Sequence, residues 1–228
     1  MFFYDYYYLI LVVPAILISL YAQMKVTSTY KKYSKVMPSG RKTATEITRM
    51  ILDKNGLQNV NVESVSGSLS DHYDPRTNVI RLSDTVRGDV SVASIGVAAH
   101  EAGHAIQYAK GYAPIKLRNT ILPVANFASK LSIPLIILGI ILSYESLITI
   151  GILAFSTVLL FQVVTLPVEF NASKRALATL SSEGILNDEE LKGAKKVLSA
   201  AALTYVAAVL VSLAQLLRLL LLNRNRRD

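Results

Sequence analysis

Two of the chain's three histidines, His100 and His104, flank a glutamate in the run Ala99-His100-Glu101-Ala102-Gly103-His104. An α-helix turns once in about 3.6 residues, so this spacing puts both imidazoles on one face with the Glu101 carboxylate beside them. Two neutral nitrogen donors and an adjacent general base are what metal-assisted hydrolysis requires. The preceding residues, Val92-Ala93-Ser94-Ile95-Gly96-Val97-Ala98-Ala99, are mostly small and apolar, as in a helix packed closely on its neighbours. Buried there, two imidazoles and a carboxylate would lack partners, and a metal ion removes that cost.

A catalytic zinc takes three protein ligands and leaves one position for water. The chain has no cysteine, so the third ligand must be His, Asp or Glu. One protease class places a histidine six residues after the second ligand and a glycine three after it. Here those positions hold Lys110 and Gln107, which excludes that class. No histidine lies downstream, leaving a carboxylate or the upstream His72. Glu145 falls in a turn between two apolar segments, on the far side of the bilayer. Glu169 emerges at the other end of the second segment, on the same side as the polar part of the chain. Glu169 is therefore the expected third ligand.

The elements that must position these residues are unusually apolar. Of 228 residues 52% are hydrophobic, and the mean hydropathy is +0.39, both pointing to membrane segments. The net charge of +8 is compatible with nucleic acid or anionic lipid. Its placement decides: Lys25, Lys31, Lys32, Lys35, Arg41, Lys42 and Arg49 follow the first apolar stretch, and Arg224, Arg226 and Arg227 follow the last. Cations crowded outside apolar spans mark lipid headgroups, and no nucleic-acid module is present.

Five segments follow. Residues 1–24 form a transmembrane anchor, whose apolar part runs from Tyr6 to Met24 after Asp5 and among tyrosines that suit an aromatic belt. Because seven cations follow it and none precedes it, the positive-inside rule places the N-terminus outside. Residues 25–118 form a small cytoplasmic α+β domain. In it a helix over Thr43–Lys54 stops at Asn55-Gly56, and strands run over Val60–Ser70 and Asn78–Ser83. A turn-rich link, Asp71 to Arg76, joins these strands, and the ligand helix spans Ser91–Lys110. Residues 119–168 are a transmembrane hairpin turning near Ser143-Tyr144-Glu145-Ser146. Residues 169–193 begin as a helix carrying Glu169, broken at Gly184. Residues 194–228 belong to a long helix capped by Asn187-Asp188, followed by the basic tail. It is expected to cross the membrane, although an even count of spans puts that tail outside. The fold class is thus mainly α and integral to the membrane, with transmembrane helices and a small α+β zincin-like domain bearing the ligand helix.

Several blocks resemble the YugP-type family of bacterial membrane zinc metallopeptidases. They are Asp71-His72-Tyr73-Asp74-Pro75-Arg76 through Arg81-Leu82-Ser83, Gly96 through Gln107, Pro167 through Ser173 with Arg175-Ala176, and Ala201 through Ala207. More distantly the chain is similar to the Ste24/HtpX class of gluzincins. That class carries its third ligand in a Glu-x-x-Ala-Asp motif. Here Glu169-x-x-Ala172 is followed by Ser173, so the acidic residue is missing, and Asn171, Ser173 and Arg175 are the candidates to substitute for it.

The residues and the resemblance together imply a membrane-bound zinc endopeptidase at the cytoplasmic face of the plasma membrane. Its partners are peptide or protein substrates and the lipid bilayer, without nucleic acid. Zinc on His100, His104 and Glu169 activates water. Glu101 takes the proton and returns it to the leaving amine. The developing oxyanion needs a further donor, for which His72, Tyr73 and Tyr205 are candidates. The strand over Asn78–Ser83 is expected to offer its edge to an extended substrate. The alternatives are site-2-type intramembrane proteolysis, with Val90–Ala109 inside the bilayer, and a non-catalytic zinc-binding scaffold.

Overall fold

A computed structural model of the chain describes residues 5–225. The first four residues of the expected anchor, and Arg226 and Arg227 of the basic tail, lie outside the described residues. The chain divides into two compact units, one of Met1–Gln23, Lys116–Leu166 and Leu203–Asp228, the other of Met24–Ile115 and Pro167–Ala202.

Four helices are long and apolar enough to cross a membrane: α1 (Val13–Tyr33, preceded by a π-helical turn at Tyr8–Val12), α5 (Ala113–Ile141), α6 (Glu145–Ser182) and α7 (Asp188–Arg224). The first unit is built from their apolar parts. In it α5 and α6 form a hairpin whose turn includes Ser143 in the left-handed region. Ile136, Ile148, Ile152 and Leu219 pack into one core cluster, and Val12, Ala15 and Ala214 into another. At the start of α1 and the end of α7, Arg218 donates to Asp5 at 2.7 and 2.9 Å. Asn225 donates to the Tyr7 hydroxyl nearby. Within this unit, the end of α7 therefore meets the beginning of the N-terminal helix.

The second unit is α+β. Its helix α2 (Ala44–Lys54) starts with a capping box, in which Thr43 Oγ1 accepts from the Glu46 amide and Glu46 Oε2 accepts from the Thr43 amide. The helix stops at Asn55-Gly56, where Gly56 takes a positive φ that favours glycine. The three strands β1 (Asn61–Val65), β2 (His72–Asp74) and β3 (Val79–Ser83) lie in the order β1-β3-β2. A helical turn, α3 (Asp84–Arg87), leads to α4 (Val92–Ala109). Ile47, Ile51 and Leu52 of α2, Ile80 and Leu82 of β3, and the apolar residues of α4 form the core with Ala176, Leu180, Ala194 and Leu198.

Several expectations change here, the first being that the strand expected over Val60–Ser70 covers only Asn61–Val65. Residues 72–74, read as part of a turn, are a strand, because only three residues pair and so short a segment has no measurable alternation. Consequently β3 has no open edge: β1 pairs with it in parallel and β2 antiparallel. An extended substrate cannot pair along Val79–Arg81, where both ladders of that strand are taken. The first helix also runs nine residues beyond Met24 to Tyr33. Tyr30 and Tyr33 of this extension pack on the core of the second unit.

Candidate metal centre

Helix α4 is fixed at its start before it carries any chemistry. Asp89 collects the amides of Val90 and Ser91 on Oδ1 and the hydroxyls of Ser91 and Ser94 on Oδ2, while Ser91 caps the helix. The Tyr30 hydroxyl shares a hydrogen bond with Ser94 at 3.0 Å. Asp71 then ties down the end of β3 through the Ser83 amide and hydroxyl.

Further along α4, Gly103 lets α6 approach. A Cβ built on Gly103 would stand 2.7 Å from the Ala172 carbonyl oxygen, so only glycine fits. Pro167, which removes one rung of the helical ladder, and Val168 precede Glu169 on α6. This close crossing delivers Glu169 to the two histidines. Its Oε2 lies 3.2 Å from His100 Nε2 and 3.6 Å from His104 Nε2. The three candidate donor atoms all fall within 4.8 Å of one another. Glu169 is 2% exposed and His104 8%.

The far side of each ring is engaged. His100 Nδ1 lies 3.1 Å from the Ser173 hydroxyl, and His104 Nδ1 lies 3.0 Å from Gln107 Oε1. Gln107 Oε1 only accepts, so the neutral His104 ring carries its hydrogen on Nδ1 and its lone pair on Nε2, whereas the Ser173 hydroxyl can donate to His100 Nδ1 or accept from it. Two ring nitrogens and a carboxylate oxygen this close in a nearly dry space are held there by a shared proton or by a cation. Zinc bonds of about 2.0–2.2 Å in a tetrahedral arrangement require ligand atoms about 3.4 Å apart. The two carboxylate–imidazole distances of 3.2 and 3.6 Å bracket that value, and a His, His, Glu donor set suits zinc.

Glu101 is buried next to this cluster, with 7% exposure. Burial pushes its carboxyl up to about 7, the charge on His100 opposes the rise, and the Glu169 and Asp71 carboxylates add to it. A buried carboxyl beside these ligands is placed to exchange a proton with a neighbouring group.

The remaining candidates separate. His72 sits on β2, which packs against α4, and is near enough for its charge to act on Glu101. Its Nδ1 lies 2.9 Å from the Ser70 carbonyl oxygen. Tyr73 donates its hydroxyl to Asn78 Oδ1, and burial pushes its phenol up to about 12, so it stays protonated. Tyr205 belongs to the first unit. Of the three residues expected to stand in for the missing acidic one, Ser173 touches a histidine directly. Asn171 and Arg175 reach His104 only through Gln107. Gln107 and Gly103 stand in the sequence as members of the block Gly96 through Gln107; their contacts with His104 and Ala172 appear on folding.

Comparison with known proteins shows the family. A family model described as "Putative neutral zinc metallopeptidase" matches residues 8–224. A protein of Bacillus subtilis (strain 168) described as "Putative membrane protease YugP" is 49% identical over 221 residues, covering 97% of this chain and 98% of that protein. No solved structure matches. With the model spanning nearly the whole chain, the protein belongs to this family of zinc metallopeptidases.

Proposed function

We propose that this chain is a membrane-bound zinc-dependent endopeptidase whose centre lies on the cytoplasmic side of the membrane. One observation carries the reading: two imidazole Nε2 atoms and the buried Glu169 carboxylate converge at metal-ligand spacing beside the buried carboxyl of Glu101. Zinc, when bound by His100, His104 and Glu169, would polarise the scissile carbonyl and acidify water.

The chain's own residues do the rest. Glu101 accepts a proton from the attacking water and hands it to the departing amine. The His72 Nδ1 hydrogen goes to the Ser70 carbonyl. Its Nε2 can therefore donate to the developing oxyanion only as an imidazolium. Tyr73, already donating to Asn78, serves that role less well.

The cytoplasmic reading rests on the cations that follow the first apolar stretch, Lys25 to Arg49. The meeting of Asp5 with Arg218 favours an even number of crossings. On this reading the ion pair neutralises one cation near the outward end of α7, softening its conflict with the positive-inside rule. Intramembrane proteolysis is disfavoured because α4 is not among the four helices long and apolar enough to cross. A structural zinc site is disfavoured because the cluster offers three ligands among the described residues, whereas closed sites use four.

The test is Glu101→Gln in the full chain. It retains zinc stoichiometry while the rate of peptide cleavage falls by roughly 10²–10⁴-fold, the usual worth of a positioned acid–base. Wild-type chain that binds zinc yet cleaves no peptide or membrane-protein substrate would refute the endopeptidase reading.

A further inference from the structure

The imidazole of His104 ends a hydrogen-bond chain whose direction is set outside the metal centre. Arg175 Nε can only donate, and it lies 2.7 Å from Asn171 Oδ1. The Arg175 guanidinium also stands 5.9 Å from the centre of the Tyr112 ring. Asn171 is therefore held with its oxygen toward Arg175. Gln107 Nε2 approaches the same oxygen at 3.0 Å and the Val168 carbonyl oxygen at 2.8 Å. Both partners accept, so turning the Gln107 amide over would set oxygen against oxygen twice. In a residue with 0% exposure no solvent relieves that repulsion. Gln107 Oε1 must then face His104 Nδ1, 3.0 Å away.

An amide oxygen has no hydrogen to give. The hydrogen on this contact belongs to His104 Nδ1, and the neutral ring keeps its lone pair on Nε2. Amide orientations and imidazole tautomers are ordinarily open to choice. Here one donor-only guanidinium and one backbone carbonyl remove the choice.

Resting on the reading of the centre as a zinc site, we propose that Arg175, Asn171 and Gln107 form a polarity relay that locks His104 in the Nδ1–H tautomer. Gln107 is a positioning residue: it touches the ligand, never the metal or substrate. Asn171 and Arg175 set its direction. The relay keeps a donor lone pair aimed at the ion before the ion arrives, so zinc binding need not first move a proton between ring nitrogens.

The test uses the full-length chain in detergent, with zinc affinity measured by chelator competition. With three histidines in the sequence, nitrogen-15 labelling of histidine reports each tautomer by NMR. Gln107→Met, similar in length but lacking the acceptor, weakens zinc about 10–100-fold and lets His104 populate the Nε2–H form in the metal-free chain. Asn171→Asp still accepts from both Arg175 and Gln107, and keeps zinc affinity within a few-fold of wild type. Asn171→Leu removes the direction and weakens zinc by about tenfold. This pair tests the relay even if Gln107→Met fails to fold. Tight zinc binding by wild type and equally tight binding by Gln107→Met, with His104 still Nδ1–H, overturns the relay and leaves the metal centre standing. Asn171→Asp as weak as Asn171→Leu overturns the claim that polarity matters. A wild-type chain without zinc affinity removes the centre itself, and the relay with it.

Discussion

Substituting alanine for glycine twice on one helix separates packing from propensity at the metal centre. At Gly103 the new Cβ stands 2.7 Å from the Ala172 carbonyl oxygen, 3.2 Å from its carbon and 3.3 Å from its Cα, all backbone atoms. Ordinary Cβ contacts begin at 3.4 Å, so α4 and α6 must separate locally by about 0.7 Å. Such overpacking costs about 1–3 kcal/mol. Gly103 adjoins His104 and Ala172 lies three residues after Glu169, so the displacement falls between the ligands. Metal-ligand distances tolerate only about ±0.2 Å, and the forced shift exceeds that. At Gly96, one Cβ contact of 3.5 Å with Ala194 is ordinary, and alanine gains up to about 1 kcal/mol of helix propensity. We expect Gly103→Ala to lose stability and at least tenfold in zinc affinity, whereas Gly96→Ala is neutral or stabilising. Denaturation of the purified chain in detergent, with and without zinc, reads the first quantity, and chelator competition reads the second. If Gly103→Ala proved as stable and as tight for zinc as Gly96→Ala, the close crossing of α4 and α6 would not be what brings Glu169 to the histidines.

Glu169→Ala should abolish stoichiometric zinc, measured by metal analysis after gel filtration, while Glu145→Ala keeps it; equal losses would remove Glu169 as a ligand. The raised Glu101 carboxyl makes the metal-free chain pH-sensitive. Below pH 4.5 folded and unfolded states both bind its proton, and it contributes nothing. Between 4.5 and about 7 only the folded state holds the proton, so stability falls with rising pH, by about 1.4 kcal/mol per unit. Above pH 7 the deficit levels off at roughly 3 kcal/mol. In thermal melts with chelator, Glu101→Gln should therefore be more stable than wild type at pH 8 and indistinguishable from it near pH 4.5. A constant difference across that range would mean that the Glu101 carboxyl is not shifted by burial.

Features written in local chemistry were legible in the chain itself. Thr43 and Glu46 three apart start α2, Asn55-Gly56 ends it, and Ser91 caps α4, because a cap involves residues within one turn. Asn187 likewise starts α7 by accepting the Glu190 amide. The facing of His100 and His104 follows from helix geometry alone. The apolar stretches announce long helices by composition. What tertiary structure alone decided are the encounters between distant segments. The position of β3 between β1 and β2 depends on nonlocal pairing, including a three-residue strand too short for any pattern. The need for glycine at 103 exists only because Ala172 of another helix presses there. Ser173 is one of three candidates for the missing acidic position, and only folding sets it against His100 and sets Gln107 against His104. Local hydrogen bonds and periodicity are properties of neighbouring residues and survive in the sequence. Side-chain polarity across a helix crossing depends on atoms more than sixty residues apart, and only the folded chain brings those within 3 Å.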